Sequence, residues 1–277
     1  MKKRISVLGI LLAAASLAGC SIDEQGNLDI NLVEQQAPEF TWQGAVRAGR
    51  TIEIKGVSGS IEATPAPGDQ VKVLALRKGR SDPAKITIEV VEHEGGVTIC
   101  AVYPTRPGEE PNVCKPGGEG RISARNYNAS VTFKVQVPAG LGFVGKTTNG
   151  SVTATSLKGN IEARTVNGSV KFSTDGYGQA STTNGSINGS MGRADWTKTL
   201  EFETTNGSVH LQLPDTLQAD VDATTVNGRV TVDFPITTRG EATRRHVEGV
   251  IGSGGRGLRV SSVNGSVSVG KRVRETS

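Results

Sequence analysis

One hexapeptide recurs through the second half of the chain, with Thr or Ser first, Asn and Gly in its middle and Val or Ile last. Its clear copies are centred on Asn149, Asn167, Asn184, Asn206, Asn227 and Asn264. These residues are spaced by 18, 17, 22, 21 and 37 positions, and the last interval is about twice the period. A near-constant period of this length is typical of solenoids and other repeat folds. The repeat therefore restricts the fold more than any other feature of the sequence.

Two weaker copies fit the same alignment. HVEGVI at 246–251 lies inside the long interval, with Glu248 in the Asn position. SLKGNI at 156–161 lies halfway between the first two clear copies. We therefore expect a degenerate corner at 246–251 and a coil that carries two equivalent corners.

Three further positions of the repeat are constrained. The residue two before the Asn position carries a hydroxyl except at His246, and the residue three after it is Val or Ile in all eight copies. The aliphatic position is predicted to point inward and stack, because alternate strand residues share a face. The Asn residues, and the flanking Thr or Ser, are predicted to form hydrogen-bonded ladders. Gly follows the Asn position in every copy, which we attribute to a positive-φ corner, at Gly150, Gly168, Gly185, Gly207, Gly228 and Gly265.

Asn-Gly alone favours a hairpin turn, so an antiparallel sandwich or barrel is the alternative fold. Coils of 17 to 22 residues with equivalent side-chain positions favour stacked rungs instead. With 36 Gly residues and 4% aromatic residues, the composition is also typical of short strands and tight turns. We predict an all-β chain: a parallel, single-stranded β-helix-like solenoid of about six rungs over 139–270, preceded by a β region over 46–138 that starts or caps the stack.

The N-terminus predicts export and a lipid anchor. Residues 1–19 place three basic residues before a short apolar run, as a secretory signal peptide does. The end of this segment, LAGC, resembles the bacterial lipobox, which implies lipidation of Cys20; an ordinary signal peptide with a coincidental Cys is the alternative. Ser21 resembles a signal for the outer membrane of Gram-negative bacteria. Acyl chains would then hold the protein on a membrane, with 20–45 as a polar tether.

The charge balance of the chain argues against one class of partner, and its cysteines predict a disulfide. Without residues 1–19 the chain has 28 basic and 27 acidic residues, and it lacks the clustered basic face that nucleic-acid binding needs. Cys100 and Cys114 remain as a pair once Cys20 is assigned to lipid, and an oxidising compartment favours a disulfide over two free thiols or metal ligands. The tail 271–277 is basic and is predicted to guard the open edge of the last rung.

No residue pattern indicates catalysis, a metal or a cofactor. Asn-X-Ser matches glycosylation acceptors, but turn geometry already explains these residues, and neither a phosphate loop nor the recurrent Asp of calcium-binding repeats is found in the sequence. Asp220 and Asp222 fit a solvated strand face, the three His residues are scattered, and Trp42 and Trp196 are expected to pack an edge. We predict that the protein is not an enzyme.

The region from about Lys134 to Val269 resembles the bacterial "putative adhesin" family, a domain of unknown function with Gly-rich β-solenoid repeats. The resemblance rests on LPDTLQADVDATTVNGRVTVDFPI at 213–236 and HVEGVIGSGGRGLRVSSVNGSVSV at 246–269. It implies a right-handed β-helix-like domain at the cell envelope without established catalytic residues. We therefore expect a non-catalytic envelope lipoprotein, adhesive or structural, that contacts an envelope polysaccharide or a protein. A regulatory lipoprotein that senses envelope stress and a polysaccharide-processing enzyme are the alternatives.

Overall fold

The computed structural model describes residues 21–22, 28–29 and 35–272, so Cys20 and the signal segment lie outside the described residues. The chain divides into two units, 1–34 and 35–277. In the first unit, β1 (Ser21–Ile22) pairs antiparallel with β2 (Leu28–Asp29). The described residues of the second unit include one short 3-10 turn, Pro83–Lys85, and no helix among them is long and apolar enough to cross a membrane.

The strands of the second unit follow one another in short steps along the chain. They are β3 (Gln35–Gln36), β4 (Phe40–Ala45), β5 (Thr51–Lys55), β6 (Ile61–Pro65), β7 (Gln70–Gly79), β8 (Thr87–His93), β9 (Gly96–Val102), β10 (Val113–Cys114), β11 (Gly120–Arg121), β12 (Ala129–Val137), β13 (Gly142–Lys146), β14 (Val152–Leu157), β15 (Ile161–Arg164), β16 (Val170–Thr174), β17 (Gly178–Asn184), β18 (Ile187–Met191), β19 (Leu200–Asn206), β20 (Val209–Leu213), β21 (Ala219–Asn227), β22 (Val230–Val232), β23 (Ile236–Thr238), β24 (His246–Ile251), β25 (Gly257–Asn264) and β26 (Val267–Lys271).

Two stacked sheets form a parallel β-solenoid, as predicted. Within the described part of the chain each sheet has 11 strands, and successive coils place one strand in each sheet. A coil is here one such pair of strands with the corner that joins them. Neighbouring coils pair in parallel along both sheets, for example β16 with β18 and β15 with β17. The core lies between the two sheets.

The predicted aliphatic column runs through one of these sheets. Register places Val170 beside Val152 on one side and beside Ile187 on the other, and all three are fully buried. The complete column, in stack order, is Ile61, Val152, Val170, Ile187, Val209, Val267 and Val230. Because each member packs on its counterparts, the β-branched requirement at this position is a packing requirement.

The stack does not follow chain order at either end. The β25–β26 coil lies between the β19–β20 coil and the β21–β22 coil. At the other end, β5 and β6 lie between the β13–β14 coil and a coil made of β9 and β12. At each end of the stack, therefore, the outermost coil is separated from its neighbour in sequence by a coil from another part of the chain.

Antiparallel strands cover the ends of the stack. β7 pairs with β12, and β8 pairs with β9. At the C-terminal end β24 pairs antiparallel with β21, and β23 pairs with β24. These strands cover edges that would otherwise offer unpaired backbone groups to other chains.

One sequence-based expectation about this end is wrong. HVEGVI at 246–251 is β24, so it is not a corner of the stack; Ile251 is buried there against Ala219 across an antiparallel pair. Lys271, the first residue of the predicted tail, is the last residue of the interior strand β26, and the predicted guarding of the open edge falls on residues 273–277, outside the described residues.

Candidate functional site

The Asn residues of the repeat form a continuous hydrogen-bonded ladder along one corner of the stack. Five of the six side-chain amides each donate to Oδ1 of the Asn in the neighbouring coil, and each of these bonds is 2.8 Å long. In stack order the ladder is Asn149, Asn167, Asn184, Asn206, Asn264 and Asn227. Ser58 continues the row on the far side of Asn149 through a parallel backbone bridge. Backbone pairing and side-chain amides thus fix the spacing of this corner.

The hydroxyl row beside the ladder is buried, and its members bond to backbone carbonyl oxygens and not to one another as predicted. Thr182 is 5% exposed and donates to the carbonyl oxygen of Gly168 at 2.8 Å. Thr165, Thr204, Thr225 and Ser262 make the same bond to a glycine of the neighbouring coil. These hydroxyls therefore join coils and are not available to a ligand.

The predicted positive φ is found at three of the six corner glycines, Gly150, Gly207 and Gly265. Gly168, Gly185 and Gly228 do not adopt a positive φ, so the recurrence of glycine at every corner has a further cause. A Cβ atom on any corner glycine would lie 2.0 to 2.2 Å from a glycine carbonyl oxygen of the adjacent coil. Glycine is required because two backbones approach each other closely. The six corner glycines that share this contact are Gly150, Gly168, Gly185, Gly207, Gly265 and Gly228.

A groove of about 590 Å³ lies on the second sheet, at the corners opposite the Asn ladder. It crosses five successive coils, from Thr51 through Asn160 and Tyr177 to the loop that precedes β19 and the start of β19 itself. We call it the Trp196 groove. Since neighbouring strands are about 4.8 Å apart, five coils extend over about 19 Å.

The loop 192–199 forms one wall of the Trp196 groove. The interval from Asn184 to Asn206 is 22 residues, against 17 for the preceding one, and the additional residues lie in this loop. Trp196 is 2% exposed, and its indole N–H donates to the carbonyl oxygen of Gly257 at 3.0 Å. Trp196 is therefore a buried anchor, whereas Trp42 lies half-buried on the edge strand β4, as predicted.

Aromatic and polar groups meet on the surface of the groove. The half-buried ring of Tyr177 packs edge-on against Trp196, with centroids 6.3 Å apart. Oδ1 of Asn160 accepts a bond from the backbone N–H of Tyr177 at 3.2 Å. Gln179 donates to Glu162 at 3.1 Å. The arrangement can offer a flat apolar ring and fixed amide groups to one ligand.

A second polar cluster lies beside the loop 115–119, which follows the disulfide. Cys100 and Cys114 are bonded, with Cα atoms 5.8 Å apart. Glu53 is 5% exposed and accepts bonds from Thr98, the Gly117 N–H of this loop and Lys146, each at 2.9 Å. Burial acts to raise the pKa of Glu53, but the bonds from Lys146, Gly117 and Thr98 outweigh it and hold this pKa below 4.5. The cluster therefore has a clear structural role, since it fastens the loop to the sheet.

The acidic residues and histidines considered for catalysis are engaged elsewhere. Asp220 pairs with Arg239 at 2.6 Å, and Asp222 lies 3.4 Å from His246. His93 contacts Thr98 at the opposite end of the stack. Among the described residues, no group of three His, Cys, Asp or Glu side chains is placed to hold a metal ion.

Comparison with known proteins shows what the repeat region is similar to. Two solved structures are similar, each 12% identical in sequence: a putative cell adhesion protein from Clostridium sporogenes ATCC 15579, with a TM-score of 0.42, and a putative adhesin from Bacteroides fragilis NCTC 9343, with a TM-score of 0.38. The matches cover 85% and 84% of this chain, and 100% and 97% of the respective structures. No curated protein sequence matches the chain. The Toastrack DUF4097 family matches residues 144–270. That region, which spans the Asn ladder and most of the Trp196 groove, is therefore similar to the Toastrack DUF4097 family.

Proposed function

We propose that the protein is a non-catalytic, adhesin-like lipoprotein of the bacterial cell envelope, whose solenoid binds an envelope polysaccharide or a partner protein. The observation that carries the proposal is the unbroken Asn ladder, in which every bond is 2.8 Å long. A ladder of this kind holds the coils at one spacing and presents their outer side chains at regular intervals. Such a surface suits a long or repetitive partner better than a small substrate.

Anchoring is the second part of the proposal. Lipidation of Cys20 would attach the chain to a membrane through its acyl groups, and Ser21 favours the outer membrane in a Gram-negative cell. Replacing Cys20 with Ala should move the protein from the membrane fraction to the soluble fraction of the envelope. An unchanged membrane fraction would contradict lipid anchoring and leave the binding role open.

A hydrolytic role has less support. Glycoside hydrolysis uses two carboxyl groups on either side of the scissile bond. Of the described residues that line the Trp196 groove, Glu162 is the one carboxylate, and it is engaged by Arg164 at 2.9 Å. The groove is better suited to holding a chain than to cleaving it.

Binding to envelope material tests the proposal directly. The mature lipoprotein in detergent should co-sediment with envelope fragments, either with their protein-free polysaccharide or with a protein that is removed by protease treatment. Retention on a purified envelope protein alone would favour the regulatory alternative. Absence of binding to any envelope component would contradict the proposed function, and protease treatment of intact cells would show on which face of the membrane the binding occurs.

A further inference from the structure

We propose that the Trp196 groove binds a segment of an acidic glycan, with one sugar ring against Tyr177 and an anionic group near Lys198. The inference rests on the proposed function, since it names the ligand class of the binding module. It goes further by assigning the ligand to one groove of the stack.

The shape of the groove fits an extended chain. It crosses five coils, from Thr51 to the loop around Trp196, which is about 19 Å at the ordinary strand spacing. Its floor is largely backbone, because Gly142, Gly159 and Gly178 stand where three of these coils pass. At Gly159 a Cβ atom would lie 1.8 Å from the carbonyl oxygen of Leu141. The groove is thus a shallow channel along the stack.

Tyr177 provides the apolar surface for a sugar ring. Its ring lines the groove and packs edge-on against Trp196. The indole N–H of Trp196 in turn donates to the carbonyl oxygen of Gly257 in β25. An aromatic side chain held in this way loses little conformational entropy on binding. The less polar face of a sugar can pack on the exposed face of such a ring, while the sugar hydroxyls remain free for hydrogen bonds.

Two amide side chains beside Tyr177 have hydrogen-bonding atoms left for those hydroxyls. Asn160 uses Oδ1 to accept from Tyr177, and Gln179 uses its amide N–H to donate to Glu162. The remaining groups are a donor on Asn160 and an acceptor on Gln179. A donor and an acceptor on fixed side chains suit neighbouring hydroxyl groups, each of which can both give and receive a bond.

The charges of the groove favour an anionic ligand. Its described lining holds three cations, Lys158, Arg193 and Lys198, and one carboxylate. Asp175 neutralises Lys158 at 2.6 Å, and Asp195 pairs with Arg193. Lys198 is exposed and makes no ion pair among the described residues. Lys198 is therefore the cation available to a carboxylate or phosphate on the glycan.

The test compares two probes and four variants. Protein-free envelope polysaccharide is separated by anion exchange into an acidic and a neutral fraction, and each is titrated into the mature lipoprotein. We expect binding of the acidic fraction, weakened by added salt. Tyr177→Ala should weaken it about ten-fold and Lys198→Ala about five-fold. Tyr177→Phe keeps the ring, and Lys171→Ala removes an exposed cation on the other sheet, so both should bind as the wild type does.

Two results would contradict the assignment of an acidic glycan to the Trp196 groove. Equal binding of the neutral fraction would exclude the anionic ligand, and unchanged binding by Tyr177→Ala and Lys198→Ala would exclude the groove. If the wild type binds envelope material while these variants are unaffected, the groove assignment fails and the proposed function stands. Because Lys198 is exposed, Lys198→Ala remains informative even if Tyr177→Ala disturbs the loop; thermal unfolding of each variant checks this.

Discussion

The side-chain amide of Asn264 donates to Oδ1 of Asn206 at 2.8 Å, although 58 positions separate the two residues. In a stack that followed chain order, Asn206 would meet Asn227 instead. Asn227 donates to Asn264, so the C-terminal coil lies inside the stack, between the coil of Asn206 and the coil of Asn227. The same coil accepts the indole bond of Trp196 at Gly257. The wall of the groove therefore depends on the last coil of the chain.

Truncating the aliphatic column within this coil should destabilise the whole domain. Val267 is fully buried between Val209 and Val230, so Val267→Ala should cost about 2 kcal/mol of unfolding free energy. Val263→Ala makes the same change four residues earlier, at a side chain that is 40% exposed. It should cost less than about 0.5 kcal/mol. Denaturant unfolding measures both, and equal losses would place Val267 outside the core.

The ladder should contribute through its interior members. Asn184 donates to Asn167 and accepts from Asn206, so Asn184→Ala removes two bonds and should cost about 1 to 2 kcal/mol. Asn188 is an exposed residue of the outer sheet face, and Asn188→Ala is the matched control. A shift in the unfolding midpoint that is the same for both variants would mean that the ladder adds no stability.

Corner glycines should be intolerant of a single methyl group. A Cβ atom on Gly185 would lie 2.1 Å from the carbonyl oxygen of Gly168, so Gly185→Ala should separate two coils and cost about 3 kcal/mol. Nothing lies within 4 Å of a Cβ atom on Gly68. Gly68→Ala should therefore be close to neutral. Thermal unfolding of the two variants distinguishes a clash between adjacent backbones from a general effect of losing glycine. A general effect would destabilise both variants equally.

The Glu53 cluster should make stability depend on pH in the acid range. The pKa of Glu53 is lower in the folded protein than its ordinary value of 4.5. Its contribution is therefore complete above about pH 4.5 and is lost as the pH falls through the lowered native value. We expect Glu53→Gln to cost about 3 kcal/mol near pH 7.

The difference between wild type and Glu53→Gln should shrink in acid. Denaturant unfolding at neutral pH and at successively lower pH measures this difference. Glu62→Gln, at an exposed position of β6, should show neither effect. A difference between wild type and Glu53→Gln that stays constant into strong acid would contradict the role given to the buried carboxylate.

Much of the fold could be predicted from the repeat, because each position of the repeat makes an equivalent contact in every coil. The aliphatic column and the parallel stacking follow from spacing alone. The order of the coils does not, since the copies around Asn227 and Asn264 are nearly identical and each could pair with Asn206. The corner at Ser58 was not predicted either, because Gly56 and Ser58 replace the Thr and Asn of the other copies.

The groove was only indirectly visible in the sequence. The long interval between Asn184 and Asn206 indicates an insertion, and Trp196 lies within it. What the sequence could not reveal is that the insertion lies beside Tyr177 of the preceding coil, because that contact is made by stacking. The prediction that Trp196 packs an edge does not include the bond from its indole N–H to Gly257.

Engineered disulfides test the order of the coils most directly. In a chain with Cys20 replaced by Ala, Cys is introduced in place of Ser208 and Ser266, which are adjacent in the stack; the Ser266 N–H contacts Ser208 at 3.1 Å. Adjacent strands bring Cα atoms within disulfide range, whereas strands two coils apart, about 10 Å, are outside it. We predict rapid oxidation of the Ser208→Cys, Ser266→Cys variant and none of a Ser208→Cys, Arg229→Cys variant. The reverse result would show a stack in chain order and would contradict the intercalated C-terminal coil on which the groove depends.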